Sequence, residues 1–316
     1  MKAADATDAG PSPFRVVILM PVYRDWESAS LVCRSLDEQF ARLPRVKARV
    51  LLVDDGSPDG VAGWSPFECR SLLQVDILRL RRNLGHQRAI CAGLSYINEH
   101  LPSDGVLVMD ADGEDRPEDA VRLIETLMAN PKGVLFAERR KRFEGMMFRV
   151  GYSLYRALHR VLTGIPVRVG NFSIIPSSEL GRLTCMPVLW NHYAGAVFRS
   201  RATFKCIPMN RGRRLRGRSQ MDIASLVAHG LAGIATFQET VATRILIANA
   251  ICLMLLLMLL VAVIGVRFWT NLAIPGWATY TVGLIVILLA QILAVIFSLV
   301  FFVISNRSRA DTLARR

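Results

Sequence analysis

Residues 245–266 form a 22-residue stretch whose only strongly polar side chain is Asn249. At about 1.5 Å of rise per helical residue, that length crosses a hydrocarbon core of about 30 Å. A second charge-free stretch, 277–304, follows Arg267-Phe268-Trp269-Thr270-Asn271 and the Pro275-Gly276 breaker, and is interrupted only by groups such as Tyr280 and Gln291. Backbone polar groups in lipid must be satisfied internally, so the pair reads as a transmembrane helical hairpin over 236–306. Arg307, Arg309, Arg315 and Arg316 follow the second crossing, Arg244 precedes the first, and Arg267 is the lone cation between them. That asymmetry places both termini and the region before the hairpin in the cytoplasm, with 307–316 as a basic tail. Trp269 and Trp277 fit interfacial anchors on the far side.

Charge is unevenly spread along the chain. The chain of 316 residues is 52% hydrophobic with a net charge of +13. Between Arg139 and Arg218 lie 17 Lys and Arg against Glu144 and Glu179 alone, a local balance of +15, whereas residues 1–138 carry 16 basic and 21 acidic groups. A cationic block of this kind suits anionic lipid, a phosphorylated substrate or nucleic acid. No helix-turn-helix or RNP arrangement accompanies it, which excludes sequence-specific nucleic-acid binding. Six cysteines without a CxxC pair read as reduced thiols on the cytosolic side. Residues 1–13 read as a flexible leader with no apolar signal core.

From Phe14 onward, β-branched apolar runs end in turn residues: Arg15 to Met20 before Pro21, Val50 to Val53 before Asp54-Asp55-Gly56-Ser57, and Gly105 to Met109 before Asp110-Ala111-Asp112. Helical periodicity separates them, over Ser28 to Phe40 and Gln87 to Ile97. Strands alternating with helices predict an α/β domain over 14–235 with a mostly parallel sheet. Ligands of such sheets sit beyond the carboxyl ends of the strands, where these acidic loops converge. Residues 145–164 are amphipathic, with Arg149, Arg156 and Arg160 on one side. The segment suits either a membrane interface or a packed helix with a solvated basic face. A second interfacial helix is expected near 221–235.

Asp110 and Asp112, one residue apart at a strand end, can approach one divalent cation with Glu114 or Asp115 in support, or they can simply be solvated. Asp54-Asp55 can close an Asx turn or accept from a nucleobase or ribose. Asn83-Leu84-Gly85-His86-Gln87 opens a helix whose first amides could face a ligand. His86 has no second ligand at metal spacing, which argues against zinc. Arg139 and Arg142, then Arg211, Arg213, Arg214, Arg216 and Arg218, suit phosphate oxygens.

Val17-Ile18-Leu19-Met20-Pro21-Val22-Tyr23, Asp54-Asp55-Gly56-Ser57, Asn83-Leu84-Gly85-His86-Gln87, Asp110-Ala111-Asp112 and Arg211-Gly212-Arg213-Arg214-Leu215-Arg216-Gly217-Arg218-Ser219 occur in order. Together they resemble the membrane-anchored family 2 glycosyltransferases, the group containing polyprenyl-phosphate and dolichol-phosphate sugar synthases. The hairpin matches the bacterial two-crossing branch, in the inner (cytoplasmic) membrane. The resemblance implies a GT-A fold over about 14–235, with Pro21, Tyr23, Asp25, Asp54 and Asp55 around the base and ribose of a nucleotide-sugar. It implies Mg2+ or Mn2+ at Asp110, Asp112 and Glu114, and phosphate contacts from Arg139, Arg142, Arg211, Arg214 and Ser219.

The implied reaction transfers one sugar, from a UDP-hexose or GDP-mannose type of donor, to undecaprenyl phosphate with inversion. The phosphate acceptor is already anionic at neutral pH, so Asp115 would be a base only for an alcohol acceptor such as a glycerolipid or lipid-linked saccharide. An inactive membrane-tethered relative is the further alternative. Anionic lipids are expected at the basic helix, and the resemblance allows a homotetramer. No Gln-x-x-Arg-Trp element follows the acidic motif, which argues against polymerisation. Four positions depart from the family's pattern: Glu114 stands where glutamine is frequent, Arg24 where asparagine is usual, and Gln220-Met221 where a lysine and an aromatic are common.

Overall fold

The structure is a computed structural model that describes residues 12–139, 146–164, 169–210, 212, 214–215, 230–270 and 276–314. Two compact units emerge: residues up to 153 with 167–236, and residues 154–166 with 237–316.

The first unit is built on a seven-stranded mixed sheet. Its strands are β1 (Phe14–Val22), β2 (Val46–Asp54), β3 (Gln74–Arg79), β4 (Gly105–Val108), β5 (Val134–Arg139), β6 (Val169–Pro176) and β7 (Phe204–Met209). They lie in the order β3-β2-β1-β4-β6-β5-β7. The parallel arrangement read from the alternation of strands and helices holds from β3 to β4. Strand β6 breaks it, running antiparallel to both β4 and β5, while β5 and β7 are parallel. In consequence β1, β2, β4, β5 and β7 end, and β6 begins, along a single edge.

Helices cover both faces, which is why the central strands are apolar on both sides. Val16, Ile18 and Met20 of β1 pack beneath α1 (Trp26–Phe40) and α3 (Pro117–Ala129). Val17 and Leu19 pack with Leu51 and Val53 beneath α2 (His86–His100) and α6 (Tyr193–Arg199). A helix α5 (Ser177–Thr184) follows β6. The expected helices at 28–40 and 87–97 are each present, extended to Trp26–Phe40 and His86–His100. Strands β3, β5, β6 and β7 are additional to the sequence-based expectation. Pro208 sits on the edge strand β7, where the missing N–H costs no ladder bond.

The expected amphipathic segment is α4 (Met146–Thr163). Its Leu158 and Val161 are exposed beside Arg160. Of the expected second interfacial helix, 230–235 is helical and 221–229 lies outside the described residues. The hairpin is longer than read: α7 (Gln238–Trp269) and α8 (Trp277–Ala314), the latter carrying the basic tail as helix to 314. Both are long and apolar enough to cross a membrane. Asn249 donates to Ile245 O of its own helix at 2.8 Å, so its amide is satisfied within the turn. Within this unit Arg244 donates to Arg160 O and Val161 O, at 3.4 and 2.5 Å, placing a cation on the carbonyl end of α4.

Candidate active site

Four loops at the common strand edge carry the polar side chains. After β1, Tyr23, Arg24 and Asp25 lead into α1. Arg24 adopts the left-handed region (φ 60°), donates its N–H to Ser57 Oγ at 3.1 Å, and lays its guanidinium over the Tyr23 ring at 5.4 Å. Left-handed backbone is uncommon for a side chain as long as arginine, so the Ser57 and Tyr23 contacts hold Arg24 there. Pro21 is buried within β1, in register with Val53.

After β2, Asp54 and Asp55 are both buried. Asp54 accepts from Ser57 N at 2.9 Å, closing the turn, and its second oxygen lies 3.4 Å from Arg79 Nε. Asp55 accepts from Leu84 N at 2.7 Å and Gly85 N at 2.9 Å. Burial raises its carboxyl above the ordinary value against those two bonds. Asp55 thus fixes the loop that opens α2. Gly56 (φ 70°) is required there, because a Cβ would stand 2.5 Å from Asn83 N.

After β4, Asp110 N donates to Asp115 Oδ2 at 2.9 Å, and Glu114 N donates to Asp112 Oδ1 at 2.9 Å. Asp115 and Glu114 are buried, while Asp110 and Asp112 keep side chains 23% and 16% exposed. The acidic loop therefore presents its first two carboxylates and holds itself together with Asp115.

The fourth segment follows β7. Gly212 N donates to Glu114 O at 2.8 Å and Leu215 N to Asp112 O at 3.0 Å, strapping Gly212 and Leu215 to the acidic loop. Between those anchors the Arg214 guanidinium pairs with Asp112 Oδ2 at 3.3 Å and with Asp25 Oδ2. Burial raises the Asp25 carboxyl above its ordinary value; Arg214 opposes this and Asp112 adds to it. Arg139, the last residue of β5, stands in register with Met209 of β7, so both arginine-bearing segments leave adjacent parallel strands at this edge. Arg142, Arg211 and Ser219 lie outside the described residues.

Sequence reasoning missed one group. His86 Nε2 lies 3.3 Å from Asp110 Oδ1 and 2.8 Å from Asn171 Nδ2. Desolvation acts to lower the ring's pKa, but Asp110, then Asp55 and Asp115, raise it above 6.5. Gln87 Nε2 donates to Asn171 Oδ1 at 3.0 Å, and Gln87 Oε1 accepts from Tyr193 N at 2.7 Å. The signal was present in Gly85-His86-Gln87, but its partner Asn171 lies on a strand that the sequence did not reveal.

Hard carboxylate oxygens on Asp110 and Asp112 fit a divalent cation. Among the described residues no group of three or more His, Cys, Asp or Glu side chains converges. Mg2+ is commonly held by one or two carboxylates with water and substrate phosphates, and that is the donor set available here.

The model of the family Glycosyl transferase family 2 matches residues 17–203. The "Undecaprenyl-phosphate 4-deoxy-4-formamido-L-arabinose transferase" of Klebsiella pneumoniae (strain 342) is 35% identical over 117 residues, 36% of this chain and 34% of that one. The chain thus spans about a third of that enzyme's length. The "Uncharacterized glycosyltransferase YkcC" of Bacillus subtilis (strain 168) is 26% identical over 84% of this chain and 81% of its own. The "Bactoprenol glucosyl transferase" of Shigella phage SfX is 25% identical over 55% of this chain and 56% of its own. Among solved structures, mannosyl-3-phosphoglycerate synthase from Rubrobacter xylanophilus superposes with a TM-score of 0.50 at 15% identity, over 72% of this chain and 73% of that one, a likeness of fold.

Proposed function

This chain belongs to glycosyl transferase family 2, and on that premise we propose that it transfers one sugar from a nucleotide-sugar to a polyprenyl phosphate at the cytoplasmic membrane face. The observation that carries the reading is the state of the acidic loop. Asp110 and Asp112 keep partly exposed side chains, while Asp115, the carboxylate an alcohol acceptor would need as base, is buried and holds Asp110 N. A phosphate monoester has a second pKa near 6 and needs no base at neutral pH. Two membrane-length helices fit an acceptor whose tail stays in lipid. The names of the Klebsiella and phage relatives point to the same acceptor class.

In this mechanism an acceptor phosphate oxygen attacks the anomeric carbon as its bond to the nucleoside diphosphate breaks, inverting the centre. Tyr23, Asp25 and the Asp55-held loop receive the nucleoside end. Asp110 and Asp112 would hold Mg2+ or Mn2+. Such an ion, when bound, neutralises charge on the departing diphosphate. Arg214 offsets the repulsion that Asp25 and Asp112 would exert on an anionic donor. The cationic segments after β5 and β7 supply further guanidinium groups for donor and acceptor phosphates, which is electrostatic stabilisation of developing charge. Exposed Leu158 and Val161 beside Arg160 suit α4 to an anionic lipid surface.

The test compares undecaprenyl phosphate, undecaprenol and diacylglycerol as acceptors for the full-length protein with a panel of UDP- and GDP-sugars. Transfer to the phosphate alone is the expected result. Transfer to either hydroxyl acceptor would overturn the assignment.

A further inference from the structure

The reading above leaves one polar cluster of the strand edge unused: His86, Asn171 and Gln87. Its position follows from the sheet. Strand β6 runs antiparallel to β4 with Val108 opposite Ser173, and continuing that register brings Asn171 opposite Asp110. The nucleoside-side loops follow β1 and β2, on the other flank of β4. A donor whose diphosphate lies at Asp110 and Asp112, with its base over β1 and β2, extends its sugar toward β6. His86 stands beside that path, with Nε2 3.3 Å from Asp110 Oδ1 and a side chain 43% exposed.

The cluster is held rather than loose. Asn171 Nδ2 lies 2.8 Å from His86 Nε2, and Asn171 Oδ1 accepts from Gln87 at 3.0 Å. Gln87 accepts from Tyr193 N at 2.7 Å, and the buried Tyr193 hydroxyl bonds Ser173 Oγ at 2.6 Å. Asp55 fixes the backbone just before His86 through Leu84 and Gly85. Two side chains with donor and acceptor atoms, fixed on rigid elements beside the acidic loop, have the attributes of a hydroxyl-reading surface.

We propose that His86 and Asn171 form the wall that reads the hydroxyls of the donor sugar, with Gln87 as the positioning residue. The inference rests on the donor placement given above and assigns this chain's sugar selectivity to the β4/β6 flank. It locates discrimination between epimeric sugars in two side chains that contact neither base nor ribose.

The test uses the full-length protein in lipid nanodiscs with Mg2+ and undecaprenyl phosphate. kcat/KM is measured for UDP-glucose, UDP-galactose, UDP-N-acetylglucosamine and GDP-mannose, and UDP and GDP affinities are measured by equilibrium titration. The His86→Gln and Asn171→Ala variants are expected to lose about tenfold in kcat/KM for the preferred sugar and to narrow its margin over the epimer, because a polar partner is left unpaired. Affinity for the matching nucleoside diphosphate should stay within about twofold, the span of a change that removes no hydrogen bond to it. Where Asn171→Ala does not fold, His86→Gln, which keeps a hydrogen-bonding group, decides the matter. Unchanged sugar selectivity, or nucleoside diphosphate affinity falling in step with activity, would overturn the assignment. Failure of the native chain to bind either nucleotide would overturn the donor placement and this inference together.

Discussion

Asp37, Asp55 and Asp115 are aspartates of the sheet-bearing unit whose carboxylates are turned inward onto backbone N–H groups. Asp37, in α1, accepts from Arg70, Ser71 and Leu72 at 2.8–3.1 Å. Burial acts to raise its carboxyl, and the three backbone donors outweigh this and hold it below its ordinary 3.8. A depressed folded value means that the group's contribution is complete above about 3.8, the unfolded value, and is lost as the pH falls through the folded one. Asp37→Ala should therefore cost about 1–3 kcal/mol at neutral pH. The gap from the native protein should close below about pH 4, as followed by tryptophan fluorescence during thermal unfolding. A gap independent of pH would contradict this role. Pairings of this kind were not legible beforehand. Asp54-Asp55 reads equally as turn or ligand, and only the structure shows both carboxylates engaged with their own loops. Asp25 and Arg214 are 189 residues apart, and no local pattern announces their ion pair.

Helix α2 reaches the sheet through a glycine. A Cβ at Gly93 would overlap Leu19 Cδ1 and lie 2.9 Å from Val53 Cγ2, both deep in the core. Overpacking costs about 1–3 kcal/mol, against about 1 kcal/mol gained in helix propensity, so Gly93→Ala should lower stability by about 1 kcal/mol. Gly181 of α5 gives the opposite sign. Its Cβ would meet only Asn98 Oδ1 at 3.7 Å, and Gly181→Ala should stabilise by up to about 1 kcal/mol. Equal shifts from both variants would refute the packing account. At this scale β1, β2 and β4 were legible because each is a buried apolar run ended by acidic turn residues. Strand β3 is half buried at a sheet edge, and β7 is interrupted by Pro208, so neither carries that signature. Strand β6 joins a nearly parallel sheet the wrong way round, a tertiary choice that periodicity does not encode. That reversal is what brings Asn171 to the strand edge.

At the scale of the molecule, the chain combines a family 2 transferase sheet, a cationic block and two apolar helices. The large side chains of α7 and α8 face outward, among them Met258, Val261, Phe297 and Phe301, each more than 60% exposed. Met258→Arg should therefore cost about 2.5–3.5 kcal/mol of insertion, read as a lower fraction of chains with α7 inserted in a microsomal insertion assay; an unchanged fraction would contradict a lipid-facing α7. The hairpin was the most legible feature because its signal is composition alone. The proposed acceptor class was the least legible, since the proposal turns on the burial of Asp115, which no local pattern announces. The most direct test of that reading is the mass of the lipid formed by full-length protein in nanodiscs from undecaprenyl phosphate, Mg2+ and an accepted nucleotide-sugar. The account predicts a single-sugar phosphodiester with one nucleoside diphosphate released per lipid, falling about 10²–10³-fold in rate with Asp112→Ala. A sugar on a hydroxyl, an extended glycan, or a rate indifferent to Asp112 would contradict it.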